Sequence, residues 1–422
     1  MSVAEMSANL SVRTVALADE RDLLDHVPET APLGWLRHGE GIVAWGEAAR
    51  VELAPEDAVR GAVRFDSAAH RLGRLFGSAE VDDAVELPGT GPVAFGSFTF
   101  DPRSSGSVLV VPRVVVGRRQ GRTWLTTICD RPGSHPQELL ARVTPWRPVE
   151  ELRWSAGTLS SDEWQTAVAR AVARIKDGEL DKVVLARDAL AQAREPIDVR
   201  RLLARLTRDY PDCYTFSVAG MVGATPELLV RREGEHVTAL VLAGTRPRGR
   251  TESEDARLAE ELFSSAKESE EHRYAIESLR ATLSPLCSAI DTAEHPELLR
   301  LANVQHLASP VRATVGSGVA TLEVVAALHP TAAVGGTPTT AAMELIAELE
   351  GMDRGRYAGP VGWIDARGNG EWGIAIRSAE IMGARARLFA GCGIVAGSEP
   401  ATELAEAETK FRVMREALTD RG

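Results

Sequence analysis

In the first third of the chain, apolar residues come in short runs broken by glycine and proline: PVAFGSFTFDP, SVLVVPRVVVGRRQG and RTWLTTICDRPG. Runs of this length, rich in β-branched residues and bounded by turn residues, predict strands. After a polar, proline-containing passage, TPWRPVEELRWSAGT, the pattern changes. SSDEWQTAVARAVARIKDG carries an apolar stripe at helical spacing, opened by the capping-box pair Ser160 and Glu163 and stopped by Gly178. KVVLARDALAQ then predicts a strand, IDVRRLLARLTRDY a helix, and CYTFSVAG, ELLVRRE and HVTALVLAG further strands. SEDARLAEELFSSAKESEEHRYAIESLRATL predicts one or two helices, and YAGPVGWIDARGNGEWGIAIRSAEIMG a hairpin turning at RGNG. ARLFAGCGIVAG is one more strand before a last helix. Short turns between neighbouring strands imply mainly antiparallel pairing. The fold class is α+β, with large sheets and helices packed outside them. The passage near residue 150 is the best internal seam.

Composition narrows the function classes. The chain has 422 residues, 44% hydrophobic and 26% charged, as in soluble globular proteins. A formal net charge of −12 argues against nucleic acid or an anionic membrane surface as partner. An anionic ligand would need a local cluster of cations and backbone N–H groups. Cys129, Cys213, Cys287 and Cys392 are widely spaced with no CxxC pair, which suggests neither a zinc site nor a disulfide framework. The start of the chain lacks a basic segment followed by an apolar run, and no stretch approaches the ~18 apolar residues of a membrane span. The expectation is a reduced, cytoplasmic protein.

Two acidic patterns stand out. In ATELAEAETK, Glu403 and Glu406 are three apart, with Glu408 and Lys410 close behind; in SSAKESEEHRYA, Glu268 and Glu271 repeat the spacing. On a helix such pairs share a face. Either pair alone reads as a solvated helix face or as charge opposing the helix dipole. Two together offer four carboxylates to one point, an oxygen-only ligand set that suits Mg²⁺.

A longer set of motifs occurs in order: LDKVVLAR (180–187), GATPELLV (223–230), LAGTRPRG (242–249), SAKESEEH (265–272), NVQHLAS (303–309), LHPTAAVGGTP (328–338), AGPVGWIDARGNGEWGIAIRSAEI (358–381), AGCGIV (390–395) and ELAEAETK (403–410). Over roughly residues 155 to 420 this resembles the chorismate-utilising enzymes: isochorismate, salicylate, anthranilate and aminodeoxychorismate synthases. The resemblance implies a single large domain of two mainly antiparallel sheets sandwiched together with helices outside. Residues 1–155 would then be the strand-rich part of the same body and 156–420 the motif-bearing part, overriding the seam near 150.

The same resemblance assigns roles. Lys182 would be the general base that activates water for attack at C2 of chorismate, a task that needs a neutral amine. Glu227 would be the general acid for the departing C4 hydroxyl, holding its proton through partial desolvation. One substrate carboxylate would bridge Mg²⁺ held by Glu271 and Glu406, with Glu268 and Glu403 acting directly or through water. The other would meet Arg377, Lys410 and backbone N–H groups near Gly391. Ile376 flanks an Arg377 read as lying on a strand. Gly244 and Thr245 would let the backbone approach the ligand, His306 is either a ligand contact or a bonded core histidine, and Tyr357 would lie near the ring.

Within the family, Ala243 stands where aminodeoxychorismate synthases often carry a lysine nucleophile. HPTAAVGG replaces the motif of the ammonia-using branch, so no amidotransferase partner is expected. Ala333 and Val334, in place of the Thr–Ala of salicylate synthases, point to isochorismate synthase, with chorismate and isochorismate as the small-molecule partners. Salicylate synthase, or a non-catalytic acidic cation-binding relative, is the alternative. A monomer or weak dimer is expected.

Overall fold

The computed structural model describes residues 10–29, 31–55, 62–129, 144–293, 295–300 and 304–419; the side chains of Thr245, Lys267, Glu271 and Val304 lie outside the described set. Its strands form a 13-stranded and a 10-stranded sheet among these residues. Pairing is mainly antiparallel, with a parallel contact between Ser11–Ala16 and Glu80–Asp83. Each sheet takes strands from both sides of residue 150. Leu33–Arg37 pairs with Tyr214–Val218 in the larger, and Val93–Ser97 with Pro360–Asp365 in the smaller.

The two sheets face one another. Trp35, Ile42, Phe216 and Met221 of the larger sheet and Phe95, Val110, Val361 and Trp363 of the smaller share one buried cluster. Alternation of apolar residues along each strand supplies this layer. One polar joint crosses it. Glu371, 5% exposed, accepts Trp35 Nε1 at 2.7 Å and Arg119 Nη2 at 2.7 Å, and Arg231 Nε lies 3.0 Å away.

Helices cover the outer faces. Ser161–Lys176, Val199–Asp209, Thr339–Leu349 and Pro400–Leu418 pack on the larger sheet; Glu252–Ser264, Ala266–Leu283 and Thr321–Leu328 pack on the smaller. Local signals explain their ends. Ser160 and Glu163 form the expected capping box, and Gly178 follows the first of these helices at φ +80°. The long acidic stretch divides into two helices at Ser265, whose hydroxyl accepts the Glu268 N–H at 3.3 Å. No helix among the described residues is long and apolar enough to cross a membrane.

The hairpin at RGNG is present, pairing Pro360–Asp365 with Gly370–Ile374. Its continuation differs from the expected strand through AIRSAEI. Gly370–Ile374 belongs to the smaller sheet and Ser378–Met382 to the larger. Arg377 therefore sits on no strand; it lies in the crossing between sheets, at φ +52°. A second crossing runs from Met221–Thr225 in the larger sheet to Leu228–Glu233 in the smaller, and Glu227 lies within it. The two crossings are stitched together: Ile374 N–H donates to Glu227 O at 3.1 Å and Ala224 N–H to Arg377 O at 3.2 Å.

Glu371→Ala should leave the Trp35 indole N–H and two guanidinium groups without their shared acceptor between the sheets. A loss of about 3 kcal/mol, typical of breaking a buried charged pair, is expected by urea unfolding. A loss under about 1 kcal/mol, the scale of one ordinary hydrogen bond, would mean the joint contributes little to sheet packing.

Candidate active site

The crossings set the first part of the site. The Glu227 carboxyl is held near Arg377, Lys182 and the Thr331 side chain. Burial is the largest influence on it and pushes its pKa up to about 6, against the pull of both cations and Thr331. Desolvation thus outweighs two positive neighbours. Its backbone is fixed by the Glu227 N–H donating to Thr225 Oγ1 at 3.1 Å. Thr331 Oγ1 is itself buried. Lys182 opens the strand Lys182–Gln192, which runs beside Arg385–Ile394.

Glycines shape the floor. In AGCGIV, a Cβ on Gly393 would come within 3.0 Å of Lys182 Cε, and one on Gly391 within 3.3 Å of Tyr357 Oη. Tyr357 is 5% exposed and stacks on Phe389 at 4.9 Å between centroids; burial pushes its hydroxyl up to about 12. It is a neutral phenol at pH 7.

The next wall is the strand pair His236–Pro247 and Val304–Val315. The ladder slips between Ala243 and Thr245, with Gly244 at φ +78° in the bulge. The Glu268 carboxylate fills the space a side chain would need there, 3.3 Å from a Cβ built on Gly244. Arg246 Nη1 donates to Glu268 Oε1 at 2.8 Å. Across the ladder, His306 is hydrogen-bonded to the Gly244 backbone and feels Arg377 and Lys410; burial above all holds its pKa down at about 4, so the ring is neutral at pH 7.

The last helix, Pro400–Leu418, closes the site. Lys410 Nζ donates to Gly391 O at 2.7 Å and pairs with Glu406 Oε1 at 2.5 Å. Glu403 Oε1 accepts the Ser398 hydroxyl at 2.7 Å. Burial first, and Glu406 beside it, raise the Glu403 pKa against the effects of Ser398 and Lys410. Ligand atoms of Cys392, Glu403 and Glu406 lie within 4.8 Å of one another. Glu408 faces elsewhere, pairing with Arg187 at 3.0 Å and Arg415 at 2.6 Å.

One chain of neighbours thus links Lys182, Glu227, Arg377, His306, Gly244, Tyr357, Gly391, Lys410 and Glu406. Among the described residues, the Cys392–Glu403–Glu406 group does not include Glu268, whose carboxylate pairs with Arg246 beside the bulge. The Glu271 and Thr245 side chains lie outside the described residues. Ala333 is exposed, while Val334 is 4% exposed and packed in the main core. Val334→Ala would remove core packing before it reshaped any pocket. Ile376 is partly buried against the same core, its N–H donating to Ile374 O at 2.7 Å.

Sequence reasoning passed over Arg246, Thr331 and Ser398. Arg246 and Thr331 lie inside motifs already singled out, LAGTRPRG and LHPTAAVGGTP. Ser398 lies one residue before the N-cap, Glu399, and its bond to Glu403 has no sequence signal.

Cations and carboxyls thus meet where the chain twice crosses between the two sheets. The family model "Chorismate binding enzyme" matches residues 35–419. The chain belongs to that family. It is 38% identical over 368 residues to the salicylate biosynthesis isochorismate synthase of Pseudomonas aeruginosa, covering 80% of this chain and 76% of that one. It is 34% identical over 361 residues to isochorismate synthase MenF of Bacillus subtilis, covering 80% and 77%. Its structure resembles the menaquinone-specific isochorismate synthase MenF of Escherichia coli with a TM-score of 0.81 at 26% identity, over 97% of this chain and 95% of that one.

Glu227→Gln should lower kcat by at least about 100-fold, the range for loss of a general acid. It should also alter stability in a defined direction. The folded carboxyl has a pKa of about 6, above the ordinary 4.5, so it opposes folding once pH rises past 4.5, fully above 6. The variant's Tm should match native near pH 4 and exceed it at pH 8. A native-like kcat, or a Tm gain confined to low pH, would remove Glu227 from the role. Gly393→Ala should displace Lys182 and lower kcat with the Tm little changed; unaltered kcat would mean that the lysine has room to shift.

Proposed function

We infer that this protein is an isochorismate synthase, moving the ring hydroxyl of chorismate from C4 to C2 with water as nucleophile. The observation that carries the reading is the placement of Lys182 and Arg377 around one desolvated carboxyl, Glu227. Lys182 takes a proton from the water that attacks C2. Glu227, protonated below about pH 6 in the free enzyme, gives its proton to the hydroxyl leaving C4. One water enters and one departs, so the reaction is an isomerisation. A dianionic substrate beside Glu227 raises its pKa further, which keeps the acid protonated nearer neutral pH.

Arg377 is suited to clamp a substrate carboxylate, because its guanidinium offers a planar fork. Lys410 and neutral His306 adjoin it on the other side. Glu403 and Glu406 fit a divalent cation: two carboxylates lie close together, and Glu403 is raised by burial and by its neighbour, a repulsion that a cation relieves. Glu268, and Glu271 from the sequence pattern, would extend this set. Mg²⁺ bound there would neutralise the carboxylates and polarise the substrate's own carboxylate. The four cysteines are free thiols, which accords with a cytoplasmic setting, and the chain is proposed to act as a monomer or weak dimer without an ammonia-supplying partner.

The test is incubation with chorismate and Mg²⁺, with products separated by chromatography. Isochorismate is expected as the main product, and mostly salicylate would favour the pyruvate-eliminating alternative. EDTA should stop turnover and Mg²⁺ restore it; full activity in chelator would exclude the metal. Arg377→Lys should raise KM strongly and Arg377→Ala more so, and an unchanged KM in the alanine variant would place the second carboxylate elsewhere.

A further inference from the structure

The strand that begins with Lys182 has a gap in its ladder. On one edge Arg385–Ile394 runs its whole length. On the other, Gly336–Thr337 pairs only with Lys182 and Val183, and Arg153–Ala156 only with residues 189 to 192. Between them, side chains stand in for a strand: Trp164 Nε1 donates to Ala186 O at 3.2 Å, and two further residues serve the rest. Glu350 Oε1 accepts the Ala186 N–H at 2.6 Å, and Arg354 Nη2 donates to Val184 O at 2.7 Å.

The same two residues hold each other bidentately. Arg354 Nη2 meets Glu350 Oε1 at 2.5 Å and Nε meets Oε2 at 2.9 Å, with Arg354 Cζ 4.2 Å from the Phe100 ring centroid. The third arm, Nη1, donates to Val334 O at 2.9 Å. That carbonyl belongs to the tight turn in which Thr331 O accepts the N–H groups of Val334 and Gly335, and Gly335 O in turn accepts the Val184 N–H at 2.8 Å. Thr331 is the residue whose side chain neighbours Glu227.

Glu350 is 2% exposed and Arg354 3%. An ion pair so deeply buried gains little net stability over apolar side chains of the same volume. What it gains here is geometry, since one guanidinium grips the lysine strand and the Thr331 turn together.

We propose that Glu350 and Arg354 are positioning residues for the reaction, setting Lys182 on its strand against the turn that places Thr331 beside Glu227. This rests on the isochorismate synthase reading for its kinetic consequence. Displacement of reacting groups by about 1 Å can cost about 100-fold in rate, so loss of the grip acts on kcat and little on chorismate binding.

The experiment compares native protein with Arg354→Lys, which keeps the charge but has no three-armed fork, and with Glu350→Gln, which keeps an acceptor for Ala186 N–H. Steady-state kinetics and hydrogen–deuterium exchange by mass spectrometry are measured on each folded variant. Expected for Arg354→Lys are a kcat about 100-fold down, a KM within about threefold of native, and faster exchange in residues 182–186 and 331–335 together. Glu350→Gln should show the same pattern more weakly. Native kcat in folded variants, or unchanged exchange in both segments, overturns the proposal. If native protein does not convert chorismate, the functional reading fails by itself, and the paired exchange result still decides whether the two residues position these segments. If Arg354→Lys does not fold, Glu350→Gln decides on the same two readouts.

Discussion

Everything in the site hangs on a chain that changes sheets twice at the same place. A strand of an antiparallel sheet fixes its side chains alternately up and down, so it cannot aim two neighbours at one point. A crossing between sheets can. Residues 225–228 leave the larger sheet for the smaller, residues 374–378 return, and backbone bonds at 3.1 and 3.2 Å tie the two crossings side by side. Glu227 and Arg377 are carried on these paired crossings, which is why an arginine tolerates φ +52°. A left-handed conformation at a bulky residue is unfavourable and persists where the surroundings determine it.

The protein is acidic overall, yet its site gathers cations as well as carboxyls. Lys182, Arg377 and Lys410 are gathered there, with His306 held neutral so that it adds polarity without charge. Each cation is set against a nearby carboxyl, which limits the cost of burying it. With carboxyls beside every cation, an anionic substrate would meet no broad positive field, only individual cations at short range. That arrangement suits recognition of a small dianion more than long-range attraction of a polyanion.

Much of this was readable in the sequence. Capping at Ser160, the RGNG hairpin and the order of strands and helices follow from local chemistry, and local chemistry survives folding. The strand drawn through AIRSAEI did not survive, because apolar alternation is the same whether a strand continues in one sheet or leaves it for another. Pairing across distance was equally hidden. Nothing in LAGTRPRG says that Arg246 will bind Glu268, and nothing in ELEGMDRG says that Glu350 and Arg354 will complete a ladder 164 to 170 residues away. The E-x-x-E spacing correctly grouped Glu403 with Glu406, since three residues on one helix are neighbours by geometry alone. Which carboxylates from the other helix join them depends on tertiary partners that spacing does not encode.

Glu227 and Glu371 show how one residue type is put to opposite uses within a single pair of neighbouring strands. Leu228–Glu233 pairs directly with Gly370–Ile374, so both glutamates belong to one local unit. Glu371 is surrounded by donors, two guanidinium groups and an indole N–H, and serves as a fixed negative joint between sheets. Glu227 has Arg377, Lys182 and Thr331 as neighbours, but burial dominates its environment, so its proton is retained up to about pH 6. Where burial prevails over the neighbouring donors and cations, a carboxyl becomes an acid able to give up a proton on demand. The distinction is made by burial, which outweighs the pull of Arg377, Lys182 and Thr331 on the Glu227 carboxyl.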